Sequence, residues 1–132
     1  MNPILLSDFH HEGRGPELMK VHYRGASGRA IVAVDYFLSE DSYTPENLRH
    51  LRFFKPQVFM FTPEEVEPYT PEFNPWEGET RFAAVDFGKS AWLQRFSSRH
   101  LGNCSHYRFM FYDEFLDVIC EGVEAGHGAY PC

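Results

Sequence analysis

Positive charge is scarce in this chain: 12 Lys and Arg stand against 19 Asp and Glu in 132 residues, a formal net charge of −7. A protein that grips a phosphate backbone needs a basic field, so nucleic acid is disfavoured as a partner. Long apolar runs are missing too, and no window approaches the ~20 apolar residues of a membrane-spanning helix. Ile4-Leu5-Leu6 is too short for a signal-peptide core, and Asp8, His10, His11 and Glu12 follow at once. A cytoplasmic protein is therefore expected. The three cysteines, Cys104, Cys120 and Cys132, form no even disulfide framework. No Gly-rich phosphate loop, G-x-S-x-G, H-E-x-x-H or C-x-x-C pattern occurs. Catalysis would have to come from scattered residues.

Rings are what the chain has in abundance: 13 Phe, 7 Tyr and 2 Trp. That much ring surface belongs to a packed core rather than a solvated coil. The length suits one domain, residues 1–132, with roughly two-thirds of its unfolded surface buried.

Residues 1–16 read as an N-terminal arm punctuated by Pro3, Gly13, Gly15 and Pro16. Glu17 to Arg24 and Arg29 to Leu38 read as a hairpin around Gly25-Ala26-Ser27-Gly28, with Arg24 opposite Arg29. Strict alternation puts Met19, Val21, Tyr23, Ala30, Val32, Val34 and Tyr36 on the core face. Lys20, His22, Arg24, Arg29 and Asp35 take the other face, with Leu18, Ile31 and Ala33. Thr44-Pro45-Glu46 predicts the start of a short helix carrying Leu48, Leu51 and Arg52, stopped by Pro56. Gln57 to Phe61 predicts a buried strand. Thr80 to Phe87 predicts another, and Lys89 to Leu101 a helix with Trp92, Leu93, Phe96, His100 and Leu101 on its apolar stripe. Ser105 to Tyr112 and Phe115 to Val123 form a last hairpin turning at Asp113-Glu114, a weak turn that leaves the register free to slip. Residues 125–132 read as a loose tail. The expected fold is α+β: a largely antiparallel sheet built from hairpins in the order β-β-α-β-loop-β-α-β-β, with two helices on one face.

Four groups of residues carry candidate chemistry. Asp8-Phe9-His10-His11-Glu12 holds metal-ligand types, and equally suits a solvated arm. His100, Cys104 and His106 form H-x₃-C-x-H, with zinc-type ligands within seven residues, but His100 lies on an apolar stripe and Cys104 suits a buried position. Neither group supplies four ligands at a recognised spacing, so no metal or other cofactor is expected. On the polar face of the last hairpin, His106 faces Glu121, and Arg108 lies diagonal to Asp117 and Glu121. A carboxylate beside His suits general-base chemistry, and Arg suits an anion clamp; the alternative is a wet cross-strand ion-pair cluster. Finally, residues 62–79 hold six Glu, four Pro and no Lys or Arg. Glu64, Glu65 and Glu67 with Tyr69, Phe73 and Trp76 suit an interface with a basic protein, with rings for affinity and charge for encounter rate. The alternative is an irregular cover whose rings plug the core edge.

Two functions follow from this. One is a non-catalytic binding protein, an inhibitor or immunity-type partner of a basic protein. The other is a small enzyme or metal protein using the His/Arg/Asp/Glu cluster of the last hairpin.

Overall fold

The computed structural model describes residues 2–3, 16–25, 30–38, 43–63, 66, 84–96 and 99–131. Strands dominate them: β1 (Asn2–Pro3), β2 (Glu17–Arg24), β3 (Ile31–Phe37), β4 (Arg49–Phe54), β5 (Val58–Pro63), β6 (Ala84–Gly88), β7 (Ser105–Met110), β8 (Glu114–Cys120) and β9 (Gly122–His127). Among the described residues, helix amounts to α1 (Ala91–Gln94), single 3-10 turns at Pro45–Asn47 and Arg99–Leu101, and a 3-10 assignment at Val66. All strand pairings among the described residues are antiparallel, in two sheets ordered β1-β6-β7-β8-β5 and β2-β3-β4-β9. The hairpin-built antiparallel expectation holds. The two packed helices do not appear among the described residues, which are mostly β.

The two sheets face each other across one core. Val32, Val34, Tyr36, Leu51 and Phe53 from the four-stranded sheet meet Ala84, Phe109, Phe111, Leu116, Val118 and Cys120 from the five-stranded one. Phe53 and Phe109 meet edge-on at 5.4 Å between ring centroids, a geometry that the ring quadrupole favours. The second face of the five-stranded sheet is buried too. Val85, Phe87, Met110 and Phe115 cluster on it, and Ile119 packs with Leu93, Leu101 and Cys104 below α1. Every residue of Phe115–Cys120 is buried as a result.

Both hairpins keep their predicted faces with registers two residues away from those expected. Arg24 pairs with Ile31 rather than Arg29, and His106 pairs with Ile119 rather than Glu121. A two-residue slip preserves the side-chain phase, because the strand period is two. In the last hairpin the turn is Phe111 to Glu114, closed by Phe111 N–H donating to Glu114 O at 2.9 Å. In the first, a β-bulge between Leu18 and Lys20 adds one residue to β2. The bulge changes the phase along the strand, so Leu18 packs on the core despite alternation placing it opposite. Met19, Val21 and Tyr23 lie on β2, at the end of its sheet, and remain 50, 39 and 64% exposed. For Val21 this overturns the expected burial.

Three further expectations are corrected. The helix predicted from Thr44 is one 3-10 turn, after which Arg49–Phe54 alternates outward His50 and Arg52 with inward Leu51 and Phe53. Period two won over the 3.6-residue reading. Among the described residues, the helix predicted over Lys89–Leu101 is reduced to α1 and the 3-10 turn Arg99–Leu101; in α1, Arg95 and Phe96 N–H donate to residues three back and tighten the turn. Phe96 and His100 are exposed rather than packed. The first three residues of the predicted loose tail, 125–127, belong to β9, which pairs with β4 from Arg49↔His127 to Phe54↔Gly122. The N-terminal arm contributes Asn2 and Pro3 to the sheet edge, and the Pro16 carbonyl accepts the Tyr112 N–H at 2.8 Å; residues 4–15, including Asp8 to Glu12, lie outside the described residues.

The sheets are joined at a corner. Strands β4 and β9 pair in one sheet, and their continuations β5 and β8 pair in the other. Glu121 N–H donates to Phe54 O and Gln57 N–H to Ile119 O, both at 2.8 Å, so pairing persists through the bend. Lys55 takes a left-handed φ of 48° there, before Pro56.

Candidate functional site

The polar groups predicted on the last hairpin do converge, inside the molecule. On β7 and β8, Arg108 is directly opposite Asp117. Arg108 Nε–H donates to Asp117 Oδ1 at 2.8 Å, and the same oxygen lies 2.6 Å from His106 Nε2. A fourth residue, Ser90, arrives from α1. It gets there because β6 bulges between Asp86 and Gly88 and Gly88 adopts φ +61°, a conformation that glycine takes without steric cost. Gly88 N–H donates to Asp86 Oδ1 at 2.7 Å and holds the turn. Lys89 then donates its ammonium protons to the carbonyls of Leu101, Gly102 and Cys104, tying the start of α1 to the chain entering β7.

Ser90 is the N-cap of α1, and its Oγ accepts the Leu93 N–H at 3.1 Å. The Oγ also lies 2.8 Å from His106 Nδ1. The consistent proton assignment has the Ser90 hydroxyl donating to Nδ1 and the His106 Nε2–H donating to Asp117. Rings enclose the imidazole: Trp92 at 4.7 Å and Phe87 at 4.9 Å between centroids. The Arg108 guanidinium lies over Phe87 and Phe115 at 5.3 and 5.9 Å, within cation–π range. Exposure is 3% for Ser90, 1% for His106 and Arg108, and 0% for Asp117.

Serine, histidine and aspartate in a hydrogen-bonded row have the composition of a nucleophile, base and orienting acid. The environment encloses all three. A reacting carbonyl must come within ~3 Å of the nucleophile, and this Oγ is enclosed. The row surrounds a buried charge pair: Asp117 meets Arg108, and His106 links the Asp117 carboxylate to the helix cap. The wet-cluster alternative is also overturned, since solvent does not reach these groups. Glu121 is not part of the cluster. The register carries it past the end of β8, where it is exposed and lies 3.7 Å from Lys55 Nζ.

The metal triplet does not assemble. His100 is exposed, the Cys104 thiol donates to the His100 carbonyl, and His106 commits both ring nitrogens to Ser90 and Asp117. Among the described residues no three His, Cys, Asp or Glu side chains are grouped to hold a metal ion. Burial pushes the Cys120 thiol up to about 12 and raises that of Cys104. Both sulfurs are protonated at neutral pH and poorly nucleophilic. Glu64, Glu65, Glu67, Tyr69, Phe73 and Trp76 lie outside the described residues.

A second polar group was missed in the sequence because its last member sits in the supposed tail. On the outer face of the four-stranded sheet, His22 Nε2–H donates to Asp35 Oδ2 at 2.8 Å. The Tyr130 N–H donates to Asp35 Oδ1, also at 2.8 Å. Asp35 is 3% exposed. The Tyr130 ring sits between the imidazoles of His22 and His50, at 5.5 and 5.6 Å, and the His50 Nδ1 lies 2.9 Å from the Gly128 carbonyl. The C-terminal residues thus form a strap across the sheet. The placement of His22 and Asp35 on one face was the available signal.

Comparison with known proteins gives no match: no family model, no curated protein and no solved structure resembles the chain significantly. No helix among the described residues is long and apolar enough to cross a membrane.

Proposed function

We propose that the protein is a non-catalytic binding protein, an inhibitor or immunity-type partner of a basic protein, working in the cytoplasm. The observation that carries this reading is how the acidic segment is anchored. Strand β5 ends at Pro63 and β6 begins at Ala84. Both belong to the five-stranded sheet, separated by β8 and β7. The connection therefore leaves and re-enters one rigid body at points about 14 Å apart at ordinary strand spacing. It contains Glu64, Glu65, Glu67, Tyr69, Phe73 and Trp76. Rings among prolines, on fixed ends, bring contact area at reduced ordering cost, and the net charge of −7 steers a cationic partner toward them. Free buried thiols at Cys104 and Cys120 suit a reducing compartment.

Affinity capture from the native host tests the reading, with wild type beside a Glu64→Gln/Glu65→Gln/Glu67→Gln variant. A basic protein should be recovered at low salt by wild type and lost from the variant. Recovery that ignores both salt and the three substitutions would remove the segment from consideration. The enzyme alternative is favoured by one observation, the Ser90–His106–Asp117 row. A fluorophosphonate probe on native protein decides it: labelling at Ser90 would establish a reactive serine, and none is expected.

A further inference from the structure

Beside the strap lies a groove of about 350 Å³, at the small end of ligand-pocket sizes. Its walls are β2, the start of β3, and the strap residues Tyr130 and Pro131. On the face that carries Arg24, Ile31 and Pro131 supply aliphatic surface and Tyr130 supplies a ring. Val21 and Tyr23 border the groove from the other face of β2, where the Tyr23 ring meets Phe59 at 5.4 Å. The polar lining comes from His22 and Arg24.

Charge is what gives this groove a preference. Asp35, the carboxylate behind it, spends one oxygen on His22 and the other on the Tyr130 N–H. Arg24 is then the formally charged side chain among the described lining residues, and it has no ion-pair or hydrogen-bond partner among the described residues. An exposed guanidinium at the mouth of an apolar groove, in a molecule of net charge −7, is a local exception to the overall field. Guanidinium pairs carboxylates in a bidentate fork.

We propose that this groove binds the carboxylate of an apolar acid, with Arg24 on the carboxylate and the aliphatic or aromatic body against Ile31, Pro131 and Tyr130, which share its face of the sheet. The site is separate from the acidic segment and stands or falls without it. His22 is held in place by Asp35, and the strap forms one wall, so a ligand also ties the C-terminal residues to β2.

The test is a titration of the full chain with 3-phenylpropionate, followed by amide resonances, with 3-phenylpropan-1-ol as the uncharged analogue. Saturable shifts are expected at Val21 to Arg24, Ile31 and Tyr130. The acid should bind about tenfold more tightly than the alcohol, as one charge-assisted pair supplies. Arg24→Gln, an exposed substitution, should erase that preference while leaving the melting temperature unchanged. Tyr130→Ala should weaken both ligands. N-acetylphenylalanine beside its amide reads whether the carboxylate of a chain end is also accepted; preference for either carboxylate over its neutral analogue supports the site. Equal affinity for acid and alcohol, an unaltered preference in Arg24→Gln, or shifts confined to other residues would overturn the proposal.

Discussion

Asp117 holds both His106 and Arg108 on a single oxygen at 0% exposure. Its Oδ2 is buried without a hydrogen-bond partner among the described residues, so the charge is compensated from one side only. Removing its charge would take from buried Arg108 the carboxylate that faces it across the strands. Asp117→Asn should therefore cost about 3–5 kcal/mol in urea unfolding, the range for breaking a buried pair. An Arg108→Met/Asp117→Leu double variant should lose less than the single one, because neither member of the buried pair remains. Equal losses would mean the pair is not the reason for Asp117's importance. Glu114 behaves differently. Burial, with Asp113 and Glu17 nearby, raises its carboxyl above the ordinary 4.5. The folded state then holds this proton more tightly than the unfolded chain, so stability contributed by the protonated form is present below the ordinary value and is lost as pH rises through the raised one. Glu114→Gln should raise the melting temperature at pH 7 and leave it unchanged below pH 4. A destabilised variant at pH 7 would reverse that sign.

At the scale of elements, α1 depends on Ser90 more than a four-residue helix usually depends on a cap. The hydroxyl accepts from Leu93 N–H and serves His106 as well. Ser90→Ala should cost about 2–3 kcal/mol, a cap plus a buried acceptor left unmatched. A loss below 1 kcal/mol would show that the cap and the imidazole are not coupled. The pairing of β4 with β9 has its own narrow place. A Cβ at Gly126 would run into the His50 imidazole, which lies over it. Gly126→Ala should push that ring off the Gly128 carbonyl and loosen the strap, costing about 1–3 kcal/mol as overpacking does. Hydrogen exchange at Tyr130 N–H should then accelerate; unchanged protection would mean the strap is held from elsewhere.

Over the whole molecule, two sheets share a core and exchange strands at the Lys55 and Glu121 corner. Phe109 sits at the centre of that core at 0% exposure. Phe109→Ala should cost about 3–5 kcal/mol, and a loss under 1 kcal/mol would refute its placement. Cys104 and Cys120 report on the same core. In a Cys132→Ser background neither thiol should react with a disulfide reagent at pH 8 until the protein is unfolded, since both are buried and Cys120 is pushed up to about 12. Prompt reaction of either would show that the sheets open.

The sequence by itself determined which faces of the two hairpins are apolar. Val32, Val34 and Tyr36, or Tyr107, Phe109 and Phe111, recur on one face at the strand period, and a two-residue slip does not disturb that. It also carried the residue types of the polar cluster, His106, Arg108 and Asp117, on one face. The tertiary structure decided the rest. Registers follow turn length, and a four-residue turn at Phe111 to Glu114 excluded Glu121 from the cluster. Whether a polar face is wet depends on what packs against it, which no local pattern records: α1 and its rings cover one hairpin face and bury the cluster. Residues distant along the chain become neighbours only when sheets assemble. Ser90 meets His106, and Tyr130 meets Asp35, through pairings made 16 and 95 residues apart, beyond the reach of any periodicity.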